Sequence, residues 1–202
     1  MSRQLILVRH GQTIHNVAGI AQGWNDSDLS ELGQLQVRKL AERLVSYRPT
    51  AIFSSPLGRA LSTAQAIADT TGLEIVTLED LREMSYGGWE GRSFLDVRQE
   101  DEETYQRWIQ DEEVRCPDGE SHGDVRRRMQ RAFDQIAATD HETIIVVAHG
   151  TAIRIGATAL MNVPVMASRH FAQENAAMNV FQWRVDRWVL KAWNDTSHYL
   201  ER

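Results

Sequence analysis

The sequence predicts a layered α/β fold with a largely parallel sheet, and three observations carry that expectation. Short apolar runs at 5–8 (LILV), 50–55 (TAIFSS) and 142–149 (ETIIVVAH) are apolar at consecutive positions, as strands covered on both faces are. Amphipathic helical stripes fill the chain between these runs. Two strand-like runs, MNVFQWRV and RWVLKAWN, meet around Asp186 and read as an antiparallel hairpin at one edge of the sheet.

Each element follows from local signals. Ser30 can cap a helix running to about Tyr47, with Val37, Leu40, Ala41 and Leu44 on one face. After the second strand, Pro56 suits the first position of a helix whose stripe is Leu57, Ala60, Leu61, Ala64, Ile67 and Ala68, closed by Gly72. A third helix near 122–138 carries Val125, Met129, Ala132, Phe133 and Ile136. A fourth near 151–161 carries Ile153, Ala157, Leu160 and Met161, with Pro164 beyond its end. Residues 94–124 interrupt the alternation. They hold eleven acidic residues against three arginines, yet Phe94, Val97, Tyr105, Trp108 and Ile109 recur at roughly helical spacing. This is a helical excursion that could serve as a lid; a wet outer face fits either reading.

Composition narrows the function classes. With 202 residues, 42% apolar and 25% charged, the chain suits one soluble domain over 1–202. A net charge of −6 argues against a nucleic-acid partner, which calls for a basic face. A small anion needs only a local positive pocket. Cys116 is the single cysteine, so no internal disulfide forms. No run is long enough for a secretory core or a membrane span, and the cytoplasm is the expected location.

Basic residues collect where strands end. The first strand stops at Arg9-His10-Gly11, and the third at His149-Gly150 before a helix. Ligands of open α/β sheets bind beyond the carboxyl ends of strands, so two histidines delivered there can meet. Arg59 lies off its helix's apolar stripe and near its first turn, able to point at the same edge. Its planar fork suits phosphate oxygens. A neutral histidine with a carbonyl on one ring nitrogen presents the other as a nucleophile. The departing alcohol needs an acid, for which Glu79, Asp80, Glu83 and Glu90 are all open. The scattered His15, His122, His141, His170 and His198 show no metal-ligand spacing.

At this point the chain resembles the histidine phosphatase superfamily, in its phosphoglycerate-mutase-like branch. LVRHGQTIHN, QGWNDSDLSELGQLQ, IFSSPLGRALSTAQAIA, LREMSYGGWEG, PDGES and IIVVAHGTAIR follow in the family's order over nearly the whole chain. The resemblance implies a three-layer α/β/α sandwich with a mixed central sheet. It implies that His10 becomes phosphohistidine. Arg9, Arg59 and His149 would bind the phosphoryl group and Asn16 would add a hydrogen bond. Glu83 would protonate the leaving oxygen and later act as base, Gly150 would allow close backbone approach, and Gln22 would lie near the substrate. No metal and no organic cofactor are expected.

Glu-Met-Ser-Tyr-Gly at 83–87 stands where true mutases carry Glu-Arg-His-Tyr-Gly. The resemblance therefore favours a phosphomonoester hydrolase acting on a small phosphorylated metabolite. The alternatives are a cofactor-dependent phosphoglycerate mutase and a non-catalytic phosphate-ester-binding protein. Trp24, His15, Met84, Tyr86, Trp108 and His122 are candidates for the cavity wall. The C-terminal hairpin offers an edge at which a homodimer could form.

Overall fold

In the computed structural model, which describes residues 3–199, six strands form one mixed sheet. They are β1 (Gln4–Arg9), β2 (Ala51–Ser54), β3 (Ile75–Thr77), β4 (Thr143–Ala148), β5 (Met178–Arg184) and β6 (Arg187–Asp195), in the spatial order β3-β2-β4-β1-β5-β6. The first four positions in that order are mutually parallel, with Leu5 opposite Ile144 and Ala51 opposite the same residue. β5 runs antiparallel to β1, and β6 closes the hairpin against β5.

The two-residue period of the strands explains the layers. Leu5, Leu7, Ile144 and Val146 face one side, packed with Met129, Phe133 and Ile153. Ile6, Val8, Ile145 and Val147 face the other, packed with Leu40, Leu44, Ala64 and Ile67. The chain passes through α1 (Ile14–Val17), α2 (Glu31–Val45) and α3 (Gly58–Thr71), then α4 (Phe94–Glu100), α5 (Glu102–Gln110), α6 (His122–Ala137) and α7 (Gly150–Met161). Helices α2 and α3 cover one face and α6 and α7 the other, giving the three-layer α/β/α sandwich that the sequence implies. Burying each large aliphatic side chain contributes roughly 1.5–3 kcal/mol, which is why continuous apolar strands settle at the centre of such a sandwich.

The caps follow the sequence closely. Ser30 accepts from the Gly33 N–H at 3.0 Å, and Gly72 ends α3 at φ 71°, a left-handed conformation that suits glycine. One expectation needs correction. Pro56 is not the first helical residue: α3 begins at Gly58, because Leu57 is extended and the carboxylate of the distant Asp26 accepts the N–H groups of Gly58 and Arg59. Strand β3 escapes a sequence reading because it has three residues, all half-buried or exposed, and so shows no buried run.

The excursion at 94–124 contains α4 and α5, capped by Ser93 and Asp101. Its anchors form an aromatic nest: Phe94 stacks on Trp108 at 5.9 Å, and Trp108 meets Trp89 edge-on at 5.3 Å. Arginines offset part of its acidity, through Arg92–Glu100, Arg98–Glu102 and Arg128–Glu120. No helix among the described residues is long and apolar enough to cross a membrane.

Candidate active site

Three parallel strands deliver side chains to one edge. β1 ends at Arg9 and leads into His10, β4 leads into His149 and β2 into Ser55. Because β1 and β4 pair directly, the His10 and His149 rings lie 5.2 Å apart with their planes tilted by 58°. Arg9, His10, Asn16, Gln22, Arg59, Glu83 and Gly150 all line one cavity of about 260 Å³ at this edge. That is room for a small metabolite.

The His10 ring is locked. Its Nδ1 lies 2.7 Å from the Gly11 carbonyl, which can only accept, so Nδ1 carries the proton and Nε2 keeps its lone pair. Burial, then the charges of Arg9 and Arg59, push its pKa well below the ordinary histidine value. His149 is lowered by the same causes, burial first and Arg59 next. Both rings are therefore neutral at pH 7. His149 meets the Ser55 hydroxyl through Nε2 at 2.8 Å, while its buried Nδ1 has no protein partner.

The cations are held by backbone. Arg9 donates through one terminal nitrogen to the Gln173 carbonyl, and its Nε is buried without a partner. Arg59 donates to the carbonyls of Gly23 and Asn25 at 2.7 and 2.8 Å and to Asp26 Oδ1 at 2.9 Å, leaving its Nε unused. A Cβ at Gly150 would stand 3.3 Å from Arg9 Nε, so glycine there admits the guanidinium.

The amides are oriented in the same manner. Asn16 Oδ1 accepts from the Thr13 N–H at 3.1 Å and from Asn175 Nδ2 at 3.0 Å, which leaves its Nδ2 for an anion. Gln22 Oε1 accepts from the Ser27 hydroxyl at 3.2 Å. Glu83 is tied to the start of α7: Oε2 accepts from the Thr151 N–H at 3.1 Å and Oε1 from the Ala152 and Met84 N–H groups at 2.9 and 2.8 Å. Of the four open acids, only Glu83 lines the cavity. Asp80 instead pairs with Arg131, Glu79 with Arg82, and Glu90 accepts from backbone N–H groups of Trp24, Asn25 and Tyr86.

Of the six candidates for the cavity wall, Tyr86 alone is there. Trp24 turns outward under the Arg82 guanidinium, Met84 is fully buried, and Trp108 and His122 pack on each other at 4.9 Å within the excursion. The sequence reading missed Phe94, Thr151, Arg154 and Gln173 as wall residues. Thr151 and Arg154 stand three apart on α7, a helical spacing that could have flagged them. Gln173 comes from the loop before β5 and carries no such signal. Arg154 donates to the Thr151 hydroxyl at 3.0 Å, and that hydroxyl lies 2.8 Å from the Tyr86 hydroxyl. Among the described residues no carboxylate pairs with Arg154 or Arg9.

Comparison with known proteins places the chain in a family. The model of the histidine phosphatase superfamily (branch 1) matches residues 5–196. A curated relative from Yersinia pestis (strain Pestoides F), named "Probable phosphoglycerate mutase GpmB", is 34% identical, with 96% of this chain and 94% of that protein covered. Among solved structures, a mycobacterial glucosyl-3-phosphoglycerate phosphatase superposes with a TM-score of 0.87 at 32% identity, covering 95% of this chain and 99% of that one. A mutant phosphoserine phosphatase from Entamoeba histolytica, in complex with phosphoserine, gives 0.86 at 29% identity, covering 98% and 99%. The chain is thus an enzyme of the histidine phosphatase superfamily, in the phosphoglycerate-mutase-like branch 1.

Proposed function

We propose that this enzyme moves the phosphoryl group of a small phosphorylated hydroxy acid onto His10 and then to an acceptor, with Glu83 handling the proton. The observation that carries the reading is the locked imidazole: with Nδ1–H on the Gly11 carbonyl, Nε2 is the lone-pair nitrogen at the cavity. The Nε2–P bond forms as the P–O bond to the alcohol breaks, and the Glu83 proton goes to the departing oxygen. In the second half Glu83 takes a proton from the acceptor hydroxyl as that oxygen attacks phosphorus, and the N–P bond breaks to return neutral His10. Arg9 and Arg59 offset charge on the phosphoryl oxygens, neutral His149 and the Asn16 amide hydrogen-bond to them, and Gly150 keeps Arg9 close. Gln22 orients the bound ester from the cavity wall.

The substrate class rests on Arg154. The cavity wall holds three arginines against one carboxylate, and Arg154 donates to the Gly150 carbonyl and to the Thr151 hydroxyl that meets Tyr86, with no carboxylate partner among the described residues. A second anionic group on the substrate fits it. Phosphoglycerate, glucosyl-3-phosphoglycerate and phosphoserine, named in the relatives' descriptions, all carry a carboxylate beside the phosphate.

The acceptor separates two readings. The name of the curated relative supports return of the phosphoryl group to glycerate, a mutase, and it weighs more than the Glu-Met-Ser-Tyr-Gly segment that favours water. The phosphatase names of the solved structures keep hydrolysis as the second reading. Incubation with 3-phosphoglycerate, with and without a bisphosphoglycerate primer, tests them. Primer-dependent 2-phosphoglycerate marks the mutase, and free phosphate without primer marks the hydrolase.

A further inference from the structure

The segment that carries Glu83 lies between two short 3-10 turns, Glu79–Leu81 and Gly87–Trp89, and belongs to no strand or helix. Something else must hold its backbone. Arg128 of α6 does so with all five of its guanidinium N–H groups. Nη1 donates to the carbonyls of Asp80 and Arg82 at 2.9 and 2.6 Å, and Nη2 donates to the Glu83 carbonyl at 2.9 Å. Nε and the remaining Nη2 proton form a fork with the two oxygens of Glu120, at 2.8 and 2.9 Å. Glu120 closes the circuit by accepting the Ser85 N–H at 2.8 Å. Trp24 adds an indole N–H to the same Glu83 carbonyl at 2.9 Å. Residue 83 is therefore bound at both ends, its carboxylate to α7 and its carbonyl to α6 and Trp24.

We propose that the Arg128–Glu120 pair, assisted by Trp24, is the positioning device that sets the Glu83 carboxyl against the leaving oxygen. The pair touches neither the phosphate site nor the substrate; it acts through the peptide groups of residues 80–85. This inference rests on Glu83 being the proton donor of the proposed function. A guanidinium is required because no other side chain offers five donors in one plane. Lysine would keep the positive charge and lose the fork.

The test exploits the leaving group. A phenolate departs without a proton, whereas an alkoxide needs one, so a misplaced acid slows the alkyl ester selectively. A protein that is merely loosened loses rate on both. The first half-reaction is read as phosphate transfer to the protein in a single turnover, with 4-nitrophenyl phosphate as the aryl ester and 3-phosphoglycerate as the alkyl ester. Glu83→Gln sets the scale, with a loss of about 100-fold or more on the alkyl ester and little on the aryl ester. Arg128→Lys is expected to lose about tenfold on the alkyl ester and less than about threefold on the aryl ester, as displacement of an acid by a fraction of an ångström does. Trp24→Phe, at a position 44% exposed, is expected to shift the ratio in the same direction by less, and it decides the matter if Arg128→Lys does not fold. An unchanged alkyl-to-aryl ratio in every folded variant, beside a selective Glu83→Gln, overturns the positioning role and leaves the proposed function standing. Equal losses in Glu83→Gln overturn the proton-donor assignment, and the positioning role falls with it.

Discussion

His10 and His149 face each other at 5.2 Å between ring centroids, each placed by the last residue of one of two paired parallel strands. Neither ring has a carboxylate partner among its hydrogen bonds, and Arg9 and Arg59 are among the groups that lower the pKa of both. In the proposed function this neutrality makes His10 the nucleophile, and the arginines supply the charge that an incoming phosphoryl group requires.

That neutrality is directly observable. In histidine-labelled protein followed by NMR, the ring resonances of His10 and His149 are expected to stay at their neutral positions as pH falls through 6.5, because burial and Arg9 and Arg59 hold both pKa values well below 6.5. A midpoint at or above 6.5 for His10 contradicts this electrostatic picture.

Arg154 should separate substrates that phosphate contacts cannot. Arg154→Gln is expected to raise KM for 3-phosphoglycerate by about 10-fold or more, the worth of a charge-assisted hydrogen bond, while KM for 4-nitrophenyl phosphate moves little. Steady-state kinetics on the two esters checks it. Parallel changes would remove the carboxylate reading.

Gly150 ties packing to chemistry. A methyl group there would sit 3.3 Å from Arg9 Nε and 3.4 Å from its Cζ, so in Gly150→Ala the guanidinium must give by a few tenths of an ångström. Alanine is otherwise welcome in a helix. Activity is expected to drop about tenfold or more with thermal stability nearly unchanged, an outcome that kcat/KM and a melting curve report together.

Much of this architecture is legible in sequence, and the exceptions have physical causes. The ends of β1 and β4 can be read because Leu5–Val8 and Ile144–Ala148 are buried runs that stop at His-Gly or Arg-His-Gly. Arg59 can be read because its residue falls off an apolar stripe. The start of α3 cannot, since its cap is Asp26, thirty-two residues upstream of Gly58 and brought there by the chain's tertiary path. Phe94 and Gln173 reach the cavity from an excursion and a loop, where no periodicity points inward. Local sequence does not set Glu83 apart from Glu79, Asp80 and Glu90; the family resemblance singles it out, and in the fold α7 offers it two N–H groups.

The same Asp26 predicts a stability effect. It caps α3 through Gly58 and Arg59 and also pairs with the Arg59 guanidinium. Asp26→Ala is expected to cost about 1–2 kcal/mol in urea unfolding, typical of a lost cap, and to weaken inhibition by inorganic phosphate as Arg59 loosens. Full stability with unchanged phosphate inhibition would show that neither contact matters.

Acid should destabilise the fold before carboxylates titrate. His122 is held near a pKa of about 4 by burial against Trp108 and by the charges of Arg154 and Arg169. The unfolded chain takes up a proton near pH 6.5 that the folded chain refuses, so this stability is present above 6.5 and is lost as pH falls toward 4. Between pH 7 and 5 the loss assignable to His122 is about 2 kcal/mol, and His122→Phe should abolish that share. Identical pH slopes for the parent and the variant would contradict it.

The central claim is that phosphorus becomes bonded to the ring of residue 10. The most direct measurement is rapid acid-free quenching of a single turnover with phosphate-labelled 3-phosphoglycerate, followed by peptide mass spectrometry under alkaline conditions. The account predicts an acid-labile phosphate on the peptide containing His10, formed at least as fast as turnover and absent in folded His10→Ala, which has no activity. Turnover of the labelled ester while that peptide stays unmodified, or activity that persists in His10→Ala, would contradict it.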